Sequence, residues 1–553
     1  MKWRFSLIQI GVGLLAAAIW LRLAYWQVIA APDLKQQAAG QRLTIVENPG
    51  ERGKILGVDG QPFAANRANY LLFANPKAVS WNNSWQELQD ILPASDSAHL
   101  LDKLSLQNLS WVALSENISP SNKELIEKMN LAGVGFEPRP VRFYPEGSAS
   151  AQILGFVGKD DAGNPRGYFG LEGYYERQLA GRPGRDVFER DALGRPIVIS
   201  GQDVFPSIDG QDIKTGLDRA LQYMLAQKLD QGLQRYGASA GTITLMEPNT
   251  GQILAMVSLP NYDPQTYQAF DPSLYKNPQV AESYEPGSTF KVLIMAAALD
   301  TEVVKPAMEC DICTGPVAVS NYLIRTWNDK YFPHSSMTDV IVHSDNIGMV
   351  FVSKKLGRDR MLDYLDRFGF GQTTGVDLQE ESSPALRGKS DWTDVDLATA
   401  AFGQGIAVTP LQMLRAVGAI ANGGRLTNPH IALTPLGKSS DKKVISPGTA
   451  QAVTEMMIKA VEDGEAKWAK PAGFTIAGKT GTAQIPVAGH YDKDKTIASF
   501  VGFAPAHDPK FVMLVTLREP QTSPWGSETA APLWFDVARD LFRYWRIPPD
   551  KAG

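Results

Sequence analysis

Between Phe290 and Leu299 the chain reads FKVLIMAAAL, apolar at every position but one. A helix that is apolar all round has no face to offer water, so the rest of its domain must enclose it. The exception is Lys291. Pro286 and Gly287 break the preceding segment, which places Ser288 at the start of this core helix and Lys291 one turn on, on the same face. A lysine at the mouth of a buried helix loses hydration, and that disfavours its charged form. A neutral amine next to a hydroxyl is a base next to a nucleophile.

Ser-x-x-Lys alone is a cheap pattern. It recurs at Ser273/Lys276, Ser439/Lys442 and Ser440/Lys443, in polar or turn-like surroundings. Ser-x-Asn is equally cheap, matching at Ser80/Asn82 and Ser115/Asn117. The order and company of the motifs carry the signal. Ser344-Asp345-Asn346 follows Ser288 by 56 residues, and Lys479-Thr480-Gly481-Thr482 begins 135 residues later. S-x-x-K, S-D-N and K-T-G in that order are the set found in class A β-lactamases and penicillin-binding proteins. The chain resembles the class B penicillin-binding proteins. Arg52-Gly53-x-Ile55, Arg142-Phe143-Tyr144-Pro145-Glu146-Gly147, Gly170-Leu171-Glu172-Gly173 and Phe402-Gly403-Gln404-Gly405 are similar to further stretches of that class.

The resemblance implies an α+β fold in three parts. These are a cytoplasmic tip and transmembrane anchor (1–31), an elongated mixed α/β pedestal (32–205), and a transpeptidase domain (206–553). The last combines an antiparallel sheet sandwiched by helices with an all-helical subdomain. It also implies roles. Ser288 attacks a D-Ala-D-Ala carbonyl and Lys291 takes its proton. Ser344 relays a proton to the leaving amine, and Asn346 fixes geometry. Lys479, Thr480, Gly481 and Thr482 hold the terminal carboxylate, and the backbone N–H groups of Ser288 and Thr482 form the oxyanion hole. The acyl group passes to an amine of a neighbouring stem peptide, cross-linking peptidoglycan, and β-lactams acylate Ser288 as mimics of the donor. Expected partners are stem peptides, β-lactams, the cytoplasmic membrane, a SEDS-type lipid-II polymerase and other divisome or elongasome proteins, with division favoured over elongation. The resemblance implies neither cofactor nor metal, and a single activity with no glycosyltransferase domain.

Two rivals use the same site: a D,D-carboxypeptidase, with water as acceptor, and a non-catalytic receptor. A β-lactamase is disfavoured, because the Glu-x-x-Leu-Asn signature of class A enzymes is absent.

The remaining features agree with an exported enzyme. Lys2 and Arg4 precede an apolar run from Phe5 to Leu21, with Trp20, Tyr25 and Trp26 suited to the membrane interface. The basic tip holds the N-terminus in the cytoplasm and directs the bulk of the chain outward. A cleaved signal peptide with its site at Val28-Ile29-Ala30 is the competing reading, and the bulky aromatics and Arg22 favour a retained anchor. A net charge of −5 gives no reason to propose nucleic acid. The six histidines form no His-Glu-x-x-His or His/Cys cluster, which argues against a metal hydrolase. Cys310 and Cys313 stand just before a Thr314-Gly315-Pro316 turn rather than in a thioredoxin-like context, so either a local disulfide or two free thiols fits.

Overall fold

The computed structural model describes residues 2–48, 50–79, 84–106, 108–189, 203–434, 442–487 and 490–551. Ser80, Asn82, Ser439, Ser440 and the start of the Gly/Pro/Asp-rich stretch from Gly201 to Asp212, whose composition predicts a domain boundary, lie outside the described residues. By its internal contacts the chain divides into two units, residues 1–53 with 180–211 and residues 54–179 with 212–553.

The first unit holds the apolar N-terminal helix, Lys2–Ala24, prolonged to Ile29 by a wider turn. It is the one helix among the described residues long and apolar enough to cross a membrane. The unit also contains an antiparallel sheet of Leu43–Asn48, Gly184–Glu189 and Asp203–Phe205.

In the second unit, residues 54–179 build a mixed α/β body. The Asp59-Gly60 turn joins Ile55–Leu56 to Pro62–Arg67 as a hairpin, and Pro120–Lys128 is a helix capped by the Ser119 hydroxyl. Leu72, Trp85, Leu88, Leu114 and Ile126 form its small core.

The larger part is organised around one five-stranded antiparallel sheet. We label its elements α1 (Arg219–Tyr236), β1 (Ala240–Met246), β2 (Ile253–Leu259), α2 (Lys291–Asp300), α3 (Met337–Val342), α4 (Asn346–Leu356), α5 (Pro410–Ala421), α6 (Pro447–Glu462), β3 (Ala477–Val487), β4 (His490–Ala504), β5 (Phe511–Arg518) and α7 (Ala530–Tyr544). The strand order is β2-β1-β5-β4-β3, which leaves β3 at an edge. Strand β5 shows why the sheet is sandwiched. Its residues are apolar on both faces, as a strand buried on both sides requires. Phe511, Met513, Val515 and Leu517 join the core with α1 and α7, while Val512 and Leu514 join the core with α2 and α5.

Sequence reading places the elements well and misses some ends. The apolar pattern predicts strands over 474–485 and 499–504, whereas β3 starts at Ala477 and β4 at His490. Cys310 and Cys313 are joined as a disulfide, which decides between the two states the sequence left open.

Asp377 joins the two parts of this unit. It is buried, and its carboxylate accepts from the backbone N–H groups of Ile431 (2.6 Å) and Ala432 (2.8 Å) and from the Tyr175 hydroxyl (2.8 Å). Asp377→Ala strips the acceptor from two buried amides. Each orphaned donor costs about 1–3 kcal/mol, so we expect the thermal midpoint to fall by several degrees. A midpoint within about 1 °C of wild type counts against this role.

Candidate active site

Ser288 does not open the core helix directly. It lies in a 3-10 turn, Gly287–Phe290, and Lys291 is the first residue of α2. In a 3-10 turn, side chains at i and i+3 eclipse, so Ser288 and Lys291 still share a face.

The turn is boxed in by main chain. The Gly287 N–H donates to the Gly403 carbonyl at 3.0 Å, and Tyr284 and Val408 exchange backbone hydrogen bonds. At Gly403 (φ +79°) a Cβ would lie 2.1 Å from the Gly287 carbonyl oxygen. On the other side β3 slides past at Gly481, where a Cβ would lie 2.8 Å from the Thr289 methyl and 3.1 Å from the Pro286 oxygen. Close backbone approach therefore brings the K-T-G strand against the Ser288 turn.

Ser344 has a left-handed backbone (φ +55°), unusual for a residue with a side chain. Asp345 then caps α4, its carboxylate accepting from the Ile347 N–H at 2.8 Å. This bend presents both the carbonyl and the hydroxyl of Ser344 to Lys291, whose Nζ donates to that carbonyl, contacts Ser344 Oγ at 3.2 Å, and donates to Asn346 Oδ1 at 2.8 Å. From the opposite wall Lys479 Nζ donates to Ser344 Oγ at 3.0 Å and to Thr480 Oγ1 at 3.3 Å. One hydroxyl thus bridges two lysines.

Both lysines are almost fully buried. Burial, reinforced by the neighbouring Lys479 charge, holds Lys291 well below the ordinary lysine value. Burial brings Lys479 down to about 8, with the Glu465 carboxylate pulling the other way. A neutral Lys291 is well served here. Its two N–H bonds meet the Ser344 carbonyl and Asn346 Oδ1, and its lone pair faces a hydroxyl.

The structure therefore brings Lys291, Ser344, Asn346, Lys479 and Thr480 into one hydrogen-bonded array, with Gly481 against the Ser288 turn. The Ser288 hydroxyl has no hydrogen-bond partner among the described residues, so the expected Ser288–Lys291 contact is not made at rest. Thr482 Oγ1 accepts from the Gly526 N–H at 3.0 Å. A second Lys-Thr-Gly, at 214–216, begins on the short strand beside Ile55–Leu56, away from this array. The Gly403 stretch is marked in the sequence, but not what it packs against. Two contributors escape sequence reading: Trp525, next to Gly526, and Trp327, two residues after Arg325, whose carbonyl accepts from Asn346 Nδ2. The centroids of the two indole rings lie 4.6 Å apart.

Residues 241–542 match the model of the penicillin binding protein transpeptidase domain. This chain belongs to the penicillin-binding transpeptidases. Residues 47–215 match the penicillin-binding protein dimerisation domain, and both together make it a class B member. It is 34% identical to the stage V sporulation protein D of Bacillus subtilis, over 96% of this chain and 84% of that one. It is 28% identical to the peptidoglycan D,D-transpeptidase FtsI of Escherichia coli K12, over 99% and 93%. A crystal structure of penicillin binding protein 2X from Streptococcus thermophilus superposes with a TM-score of 0.76 at 26% identity, covering 90% of this chain and 80% of that one. The class B protein is a serine-type peptidoglycan D,D-transpeptidase that cross-links the cell wall and binds β-lactams.

Proposed function

We propose that Ser288 is the nucleophile and that the array around Ser344 divides the acid–base work between two lysines. The observation that carries this reading is the Ser344 hydroxyl held between a neutralised amine and a charged one. Lys291 takes the Ser288 proton as the hydroxyl attacks the penultimate D-Ala carbonyl. The proton returns through Ser344 to the departing amine. Asn346 orients Lys291, and Lys479 with Thr480, Gly481 and Thr482 receives the terminal carboxylate. The backbone N–H groups of Ser288 and Thr482 stabilise the oxyanion, each such donor being worth about 10²–10³ in rate. An amine of a second stem then attacks the acyl-enzyme.

Incubating the protein with a donor stem and an amine acceptor, then weighing the products, tests this. A cross-linked dimer is expected. Hydrolysed donor alone would make it a carboxypeptidase, and unchanged donor a receptor.

The pH dependence follows from the same division. Activity needs Lys291 neutral, so kcat/KM rises with pH until that proton is lost. It needs Lys479 charged, so kcat/KM falls as pH passes about 8. An alkaline limb displaced above pH 10 would refute the assignment of Lys479.

The basic N-terminal tip and the Cys310–Cys313 disulfide, a bond that persists in oxidising compartments, support an anchor with its N-terminus in the cytoplasm and the rest outside. We take residues 1–31 as anchor, 32–205 as pedestal and 206–553 as transpeptidase domain. We assign the pedestal to contacts with a SEDS-type polymerase and other proteins of the division machinery. Septal enrichment of the tagged protein supports division, and a dispersed lateral pattern supports elongation.

A further inference from the structure

A cavity of about 10 Å³ lies beside Lys479, bounded by Ser344, Lys479, Thr480 and Glu465 on its polar side and by Val342 and Phe500 on its apolar side. That is about the room one water needs, and four polar groups are ample partners for it. Three of these groups already have parts in the reaction. Glu465 has none.

Local geometry delivers Glu465 to this spot. Helix α6 ends at Glu462, and Gly464 folds tightly back, where a Cβ would lie 2.1 Å from the Ala460 oxygen and 3.4 Å from the Val342 oxygen. Only glycine passes there, and the next residue arrives under the end of α3, beside Ser344. Lys479, meanwhile, is 3% exposed, and among the described residues its Nζ donates to oxygens of Ser344 and Thr480 and to no carboxylate. A buried ammonium without compensation loses its proton.

We propose that Glu465 is a positioning residue for transpeptidation, whose carboxylate, acting across this cavity, is the countercharge that keeps Lys479 an ammonium beneath the Ser344 hydroxyl. The inference rests on the reading of Lys479 as the carboxylate anchor. The other charged or titratable groups facing this region are Lys291 on α2, His343 and Asp345 on the turn between α3 and α4, and Glu528 after β5. Of these, Lys291 opposes a charge on Lys479, so the countercharge also preserves the pairing of one charged lysine with one neutral lysine. Partial desolvation raises the Glu465 carboxyl above its ordinary value, while Lys479 and Lys291 draw it down. Its outer side is exposed to solvent, which screens the interaction and keeps the effect modest.

The test is the pH profile of β-lactam acylation in wild type, Glu465→Gln, Glu465→Asp and Lys479→Arg, with thermal midpoints measured in parallel. Glu465→Gln should move the alkaline limb down by about 0.5–1 pH unit, and Glu465→Asp should retain it. If Glu465→Gln folds poorly, Glu465→Ala serves, with the same shift expected. An alkaline limb unmoved in the folded neutral variant overturns the inference while leaving Lys479 in its role. Lys479→Arg, whose guanidinium does not titrate in this range, should lose the limb. A limb that survives in it overturns the reading of Lys479 and the inference together.

Discussion

Ser288→Ala abolishes covalent capture of β-lactams, leaving no band when the protein is incubated with a fluorescent penicillin. The expected loss is about 10⁴-fold or more, because no other group on the turn can replace the attacking oxygen. The same variant keeps its fold. The Ser288 hydroxyl donates to and accepts from nothing among the described residues, so removing it orphans no buried partner. The 3-10 turn itself is held by backbone contacts to Gly403 and by the Thr289 hydroxyl, which donates to the Pro286 carbonyl at 2.7 Å. A thermal midpoint equal to wild type together with lost labelling is the predicted pair of results. Labelling that persists would reject Ser288 as the nucleophile.

Lys291→Met produces the second large effect. The substitution keeps an unbranched side chain in a site with no solvent exposure, so the fit inside α2 is preserved. It removes the base, and general-base catalysis is typically worth 10²–10⁴ in rate. It also removes the N–H donors that met the Ser344 carbonyl and Asn346 Oδ1, at a cost of about 1–3 kcal/mol each, against which the variant no longer buries an amine. The folded protein should therefore persist, with slow acylation at every pH and without the acid limb that Lys291 imposes. If acylation by β-lactams stays within about threefold of wild type, the base lies elsewhere.

The polar clusters can be read from the sequence because each departs from its surroundings. Lys291 is conspicuous in an apolar run, and Lys-Thr-Gly-Thr in a strand. The disulfide is one of two states open to the sequence, because spacing alone does not say whether two thiols three residues apart are oxidised. The boxed turn and the cavity beside Lys479 could not be read there, because each depends on contacts between segments far apart in the chain. Gly403 sits 115 residues from Ser288 along the sequence, and nothing local says that its missing side chain makes room for the backbone of the Ser288 turn. Glu465 is similar. As one more acid after a helix it looks like a solvated end, and only the fold of Gly464 beneath α3 gives it a neighbour to act on. The missed strand starts have a simpler cause. A strand begins where its hydrogen-bonded pairing begins, not where its apolar residues do, and β4 pairs along β3 far beyond its apolar segment.

The enclosure of the Ser288 turn has an evolutionary corollary. Backbone atoms cannot be exchanged one methylene at a time, so mutations at Gly403, which faces only main chain of Gly287, leave no intermediate settings between intact and broken chemistry. Gradual drug tolerance has to be sought where side chains, not main chain, form the wall. The paired indoles of Trp327 and Trp525 are side chains of that kind, beside the residues that carry Asn346 and Thr482 contacts.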